Sequence, residues 1–220
     1  MNSLIQQYPA VADVDLILCE AHGVAYQADM KAGCVPYDDS YFDKYKSYED
    51  TPIASALNAG RCALLMRHAA DGATVLDIGA GCGTFVRQAR SWGFGAKGFD
   101  IIAKTVEYLR SIDAYADDPA QFDVVTFWDS LEHIENPEEL LSRVRHGAHL
   151  LVAIPLFPDL SNIRESKHYR PGEHFYYFTA AGFIDWMALN GFRLLEVSDH
   201  ETSAGRESIG AFAFCKDFPK

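Results

Sequence analysis

Three glycines at every second position follow a short apolar run that contains an acid: Val75-Leu76-Asp77-Ile78-Gly79-Ala80-Gly81-Cys82-Gly83-Thr84-Phe85. Alternate glycines let a chain turn tightly and bring bare backbone against a ligand, here where a helix begins and its N–H groups face outward. A dinucleotide-binding turn needs its third glycine three residues after the second. Thr84 stands at that position, so a pyrophosphate fits badly. The lysine and the serine or threonine of a P-loop are also missing. Further on, Gly98-Phe99-Asp100 ends in an acid. A carboxylate about twenty residues beyond such a turn can accept hydrogen bonds from both hydroxyls of a ribose. The plainer reading of Asp100 is a cap on the next helix.

Histidines supply the second kind of chemistry, because imidazole exchanges protons near neutral pH. His133 ends the motif Leu131-Glu132-His133 after the apolar run Phe122-Asp123-Val124-Val125-Thr126-Phe127-Trp128-Asp129. It suits a helix-cap or packing role as well as that of a base. His174 lies in a long insertion, residues 157–178, with Arg164, Lys167, His168, Tyr169, Arg170, Glu173, Tyr176 and Tyr177. Loops of that length within a compact domain usually carry function or move. A structural histidine lined by aromatic rings is the alternative for His174.

The Asp77-x-Gly79-x-Gly81-x-Gly83 pattern, with Asp100 and the run into Leu131-Glu132-His133, resembles the class I S-adenosylmethionine-dependent methyltransferases from about residue 51 to the end of the chain. That resemblance implies S-adenosylmethionine as cofactor, with S-adenosylhomocysteine as its product. The glycine turn (Gly79, Ala80, Gly81, Gly83) would pass beneath the methionine end of the cofactor. Asp77 would hold the cationic amino group, directly or through water, and Asp100 with Ile101 would serve the ribose side. Trp128 and Asp129 would lie beside the cofactor at a strand's carboxyl end. The segment Gly172-Glu173-His174-Phe175-Tyr176-Tyr177-Phe178-Thr179 is similar to one in some small-molecule methyltransferases. His174 is therefore the first candidate for a base that removes the acceptor's proton, and His133 the second. Tyr41, Tyr45 and Tyr48 resemble tyrosines that touch the cofactor in related enzymes. Some relatives carry a zinc ribbon near the N-terminus. Here only Cys19, His22 and Cys34 remain, short of a four-ligand set, so no metal is expected. The adenine contacts stay unassigned, with Asp113, Ala114 and Asp117 as candidates.

Regular elements must position these groups. Thr51-Pro52 reads as a helix start, a capping hydroxyl followed by proline, and Asp71-Gly72 as its stop. Strands are expected over 74–78, 95–100, 122–128 and 149–156, with helices over 84–92, 102–110 and from 137. Asn136-Pro137-Glu138-Glu139 supplies a cap, a proline and two acids for the last of these. Thr179 caps a further helix that Gly191 ends. Two strands, 192–197 and 209–214, then pair as a hairpin. Near-continuous apolar strands alternating with amphipathic helices indicate a parallel sheet covered on both faces. The expected fold is α/β: a Rossmann-like, doubly wound, mostly parallel seven-stranded sheet with an antiparallel C-terminal edge hairpin. The third strand, between Arg110 and Gln121, is faint. Residues 1–50, rich in tyrosine and aspartate, form an extension or lid. Residues 51–220 form the catalytic domain, with 157–178 on the acceptor side.

The whole chain, 220 residues, suits one such domain. A formal net charge of −12 and the absence of any Lys/Arg-rich run disfavour nucleic acid as the acceptor. Five scattered cysteines, an odd number, read as free thiols in a reducing compartment. The first ten residues lack the pattern of a secretory signal. No stretch approaches the roughly 20 apolar residues of a membrane span. The expectation is a cytoplasmic enzyme that methylates a small molecule or a protein side chain, of undetermined oligomeric state. A non-catalytic module that binds S-adenosylmethionine, or a nicotinamide-dependent oxidoreductase on a similar fold, are the alternatives.

Overall fold

The computed structural model describes residues 14–217, except 20, 21, 32 and 35. Its central sheet has six strands: β3 (Thr74–Ile78), β4 (Gly95–Phe99), β5 (Val124–Trp128), β6 (His149–Pro155), β8 (Phe192–Ser198) and β9 (Ile209–Lys216). They lie in the order β4-β3-β5-β6-β9-β8. The first four run parallel; β9 is antiparallel to β6, and β8 to β9. The C-terminal edge hairpin is therefore present. The seventh strand is not: the faint segment before Gln121 touches β4 only at the bridge Gly98–Tyr115. Asp113, at φ +51°, bends the chain just before that contact and Pro119 starts a 3-10 turn just after it. Of the five residues between them, Tyr115 alone forms a bridge to β4, and no neighbour extends it into a ladder.

Side chains along the inner strands alternate between two cores, as a pleated sheet covered on both faces requires. Val75, Val124, Leu151 and Ala213 face one core, closed by α2 (Pro52–His68), α3 (Thr84–Ser91) and α4 (Ala103–Ser111) through Leu64, Phe85 and Leu109. Leu76, Val125, Leu150 and Phe212 face the other, closed by α5 (Pro137–Ser142) and α6 (Ala180–Leu189) through Leu141, Phe183 and Met187. Phe183 meets the edges of Phe212 and Phe214, with ring centroids 5.1 and 5.8 Å away. Each such side chain contributes about 1.5–3 kcal/mol of burial. That sum, rather than intrinsic helix propensity, holds short helices such as α5 in place.

The helix ends obey local rules. Thr51 accepts from the Ala54 N–H and Thr179 from that of Gly182. Asn136 makes no side-chain cap, so the proline and the two acids mark the start of α5 without it. A second, three-stranded sheet joins β1 (Leu16–Cys19), β2 (Val24–Gln27) and β7 (Tyr176–Phe178), all antiparallel. The N-terminal hairpin thus grips the end of the 157–178 insertion, which also carries a 3-10 turn, Ile163–Glu165. Two short helices complete the chain: α1 (Asp39–Tyr48) and α7 (His200–Ser203). All five cysteines are free thiols. Among the described residues no helix is long and apolar enough to cross a membrane.

Candidate active site

β3 delivers Asp77 to the carboxyl end of the sheet and then turns back through the glycines. Gly79, Gly81 and Gly83 have φ of +79°, +56° and +72°, a region that side chains rarely tolerate. The turn is fastened to the end of β4. The N–H groups of Gly79 and Ala80 both donate to the Phe99 carbonyl, at 2.9 and 3.0 Å. Asp100 completes the clasp: one carboxylate oxygen accepts from the Gly81 N–H at 2.9 Å, the other from the Ile102 N–H at 3.0 Å. The Ile101 N–H also reaches the carboxylate, which leaves it acceptor capacity on one oxygen. Gly79 is exposed, and a methyl group added at Gly81 would meet nothing within 4 Å. Bare backbone therefore faces open space beside a carboxylate. Ile101, next to Asp100, projects outward at 73% exposure.

Asp77 is buried and accepts from the Thr126 hydroxyl at 2.8 Å. Burial pushes its carboxyl up to about 7, and the neighbouring Asp100 adds to the rise against the pull of Thr126 and Arg61. Ser130 fills the place of the missing Gly79 side chain, its Cβ 2.5 Å from where a Gly79 Cβ would stand, and its hydroxyl donates to the Ile78 carbonyl.

Trp128 and Asp129 end β5 as expected, but their side chains are engaged by the protein. Trp128 packs edge-on against Phe85, with the Arg61 guanidinium 5.0 Å from its ring. Asp129, at φ +57°, is clasped by Arg206 and approached by Arg61 at 3.4 Å. Both arginines also hold Glu201, which is fully buried, at 2.8 Å. Burial raises the Glu201 carboxyl, yet its contacts with His200, Arg61 and Arg206 outweigh that and leave it well below the usual range. Neither arginine nor Glu201 stood out in the sequence, because an ordinary charge on a helix or loop carries no local signal of its partner.

The fold brings His133 and His174 together, rings edge-on with centroids 4.6 Å apart. His133 ends the 3-10 turn Leu131–His133; its side chain is 20% exposed and its Nδ1 meets the Tyr37 hydroxyl at 2.5 Å. His174 lies behind it at 3% exposure. Burial holds both below the ordinary histidine value, His133 at about 4, so both imidazoles are neutral at pH 7. Glu132 joins them, buried, and Tyr177 packs on the far edge of His174. Sequence reading passed over Tyr37 and Glu132: the first lay in an aperiodic stretch, the second in a motif noticed for its histidine.

α1 covers the glycine turn. Phe42 packs with Cys82 and Ile102, and Tyr37, Tyr41 and Tyr108 border that cluster. Arg87 donates to the Cys82 carbonyl at 2.9 Å and pairs with Glu49 beyond the end of α1. Of the three tyrosines expected near the cofactor, Tyr41 is partly buried in this group, whereas Tyr45 and Tyr48 are 48% exposed. Among the adenine candidates, Ala114 is buried in the core with its carbonyl on the Gly98 N–H, and Asp113 and Asp117 are exposed. Cys19 bonds His22 at 2.8 Å while Cys34 turns to the Met30 carbonyl.

No curated protein sequence matches this chain. Solved structures do. A Burkholderia thailandensis 1,6-didemethyltoxoflavin N1-methyltransferase, with its substrate and S-adenosylhomocysteine bound, is 15% identical over 81% of this chain and 84% of its own, with a TM-score of 0.59. A Haemonchus contortus phosphoethanolamine N-methyltransferase is 19% identical over 83% and 59%, TM-score 0.60. The Synechocystis magnesium protoporphyrin IX methyltransferase is 19% identical over 81% and 95%, TM-score 0.56. At these identities the likeness is one of fold. Residues 52–197, well over half of the chain, match the family model of a methyltransferase domain, and the protein belongs to that family.

Proposed function

We propose that this enzyme transfers a methyl group from S-adenosylmethionine to a small-molecule acceptor. The observation that carries the reading is the clasp of Asp100 on Gly81, which holds open backbone and a carboxylate at the carboxyl end of the sheet. These residues fit the cofactor. Open space at Gly81 and the exposed backbone of Gly79 admit its methionine end, Asp100 keeps acceptor capacity for ribose hydroxyls, and Asp77 offers a carboxylate to an ammonium group. When bound, S-adenosylmethionine supplies an electrophilic methyl on a sulfonium.

The chain's own residues do the rest. A cation beside Asp77 favours its ionised form and so draws on a group that burial leaves near neutrality. α1 and Tyr37 border one side of the glycine turn and would shield a bound cofactor from water there. His133 is neutral at pH 7 with Nδ1 on the Tyr37 hydroxyl, and its other ring nitrogen would orient an N–H or O–H of the acceptor by giving up its contact with the Glu173 backbone. Its low proton affinity makes it a weak base, and His174, buried behind it, reaches the acceptor only through it. The fold's small-molecule relatives and the net charge of −12 both favour a small acceptor over a nucleic acid.

Calorimetric titration with S-adenosylmethionine and, separately, NADH tests the reading. Micromolar affinity for the first and none for the second is the expected result. Failure to bind S-adenosylmethionine would remove the reading.

A further inference from the structure

Glu132 is buried to 1% exposure, and beyond its own backbone N–H no group of the protein donates a hydrogen bond to either carboxylate oxygen. A buried carboxylate left so is expensive, and native proteins nearly always supply it a donor or a cation. His174 repeats the anomaly: Nδ1 is buried without a partner, while the ring's hydrogen bond goes to the His168 backbone. His133 stands between them at the surface, its Nε2 3.9 Å from Glu132 Oε1. One donor atom from each of the three lies within 4.8 Å of the others.

We propose that Glu132, His133 and His174 form a binding site for a divalent transition-metal cation of the zinc type. Two imidazoles and a carboxylate suit Zn²⁺ and its neighbours in the first transition row, whereas Mg²⁺ and Ca²⁺ prefer oxygen throughout. Metal–ligand bonds of about 2.0–2.2 Å would set the donors about 3.4 Å apart. The three side chains must then close by up to about an ångström and a half, which small χ rotations can supply.

The surroundings suit the role. A metal-bound histidine typically hands its other ring N–H to an oxygen, and the Tyr37 hydroxyl sits on Nδ1 of His133 at 2.5 Å. A proton on that nitrogen leaves the Nε2 lone pair for the cation. The Glu173 backbone also lies within reach of the His133 ring, and metal binding competes with that contact. Three protein ligands leave a fourth position open. The site adjoins the glycine turn, since Ser130, two residues before Glu132, packs on Gly79. On the methyltransferase reading, on which only this last step rests, the fourth position takes an oxygen of the acceptor. The cation and a proton then compete for His133, so its orienting role and the metal describe alternative states of one site. The expectation of no metal rested on the incomplete Cys19, His22, Cys34 set; this group is separate from it and forms only in the folded chain.

The test is calorimetry on the full chain, free of any tag and treated with chelator, titrated with Zn²⁺ alone. One equivalent should bind. Glu132→Gln and His174→Ala should each weaken it at least about tenfold, and Tyr37→Phe by a smaller factor. A Cys19→Ser/Cys34→Ser double variant should leave it unchanged. Co²⁺ in the native protein should give a visible spectrum without a thiolate charge-transfer band, a readout that holds even where a variant fails to fold. Absence of stoichiometric binding, its survival in both Glu132→Gln and His174→Ala, or its loss in the cysteine variant would overturn the proposal. S-adenosylmethionine affinity, measured on the same samples, separates that failure from a failure of the methyltransferase reading.

Discussion

Arg206 grips both carboxylate oxygens of Asp129, at 2.7 and 2.9 Å, where the backbone sits in the left-handed region at φ +57°. A non-glycine residue there costs about 1–2 kcal/mol. The paired guanidinium offsets that cost and fixes the direction in which the chain leaves β5 toward His133. The same guanidinium neutralises the fully buried Glu201.

Arg206→Leu should therefore lower stability by about 3 kcal/mol, because it leaves the buried Glu201 with only Arg61 and His200. Urea unfolding at pH 7 measures this. A loss no larger than that of an ordinary surface substitution, about 0.5 kcal/mol, would mean that the pair is ornamental.

Asp77 sets a pH dependence. Its carboxyl titrates near 7 in the folded chain and near 3.9 when unfolded, so the folded state holds a proton that the unfolded state has already released. Stability of the ligand-free protein should fall as pH rises from about 4 to about 7 and level off above. Asp77→Asn should flatten that part of the profile. It should also weaken S-adenosylmethionine by roughly tenfold or more at pH 8, through loss of a charged partner for the ammonium group. A profile identical in the two proteins would remove Asp77 as its source.

Gly79 and Gly81 should separate folding from binding. Gly81→Ala places a methyl group in open space, so the protein folds at a cost of about 1–2 kcal/mol for the left-handed backbone, while S-adenosylmethionine affinity drops. Gly79→Ala drives its methyl into Ser130 and should destabilise by about 1–3 kcal/mol beyond that backbone cost. Gly79→Ala with Ser130→Gly should recover part of the stability. No recovery in the double variant would place the damage elsewhere.

Gln27 fastens the N-terminal hairpin to the insertion. Fully buried, it accepts from the Gly172 N–H at 3.0 Å and donates to the Asp29 carbonyl at 2.6 Å. Gln27→Leu leaves the Gly172 N–H unpaired in the interior, a loss of about 1–3 kcal/mol. Hydrogen exchange should quicken across residues 170–178 before it does in the central sheet. Uniform quickening would show that the hairpin and the sheet unfold as one unit.

Much of the fold was legible because its rules are local. Thr51 and Thr179 announce helices through a hydroxyl that caps within three residues. Near-continuous apolar runs in 74–78, 124–128 and 149–155 declare strands buried on both faces, because neighbours such as Val75 and Leu76 must each find a core. The seventh strand failed for an equally local reason: Asp113 and Pro119 interrupt the chain on either side of one bridge.

The sequence by itself determined the glycine turn, the acid that clasps it and the doubly wound order, since backbone freedom and side-chain period act over a few residues. Only the tertiary structure decided what lies around that turn. Tyr37, Glu132, His133 and His174 come from three separate stretches, and Arg61 and Arg206, which meet at Asp129, from two more. Such groups meet because sheet order and crossover connections place their elements at one carboxyl edge. No pattern along the chain records which distant charge or ring will be the neighbour. The small sheet of β1, β2 and β7 follows the same logic: a strand exposes identical N–H and C=O groups to every partner, and packing of the whole chain selects the one it meets.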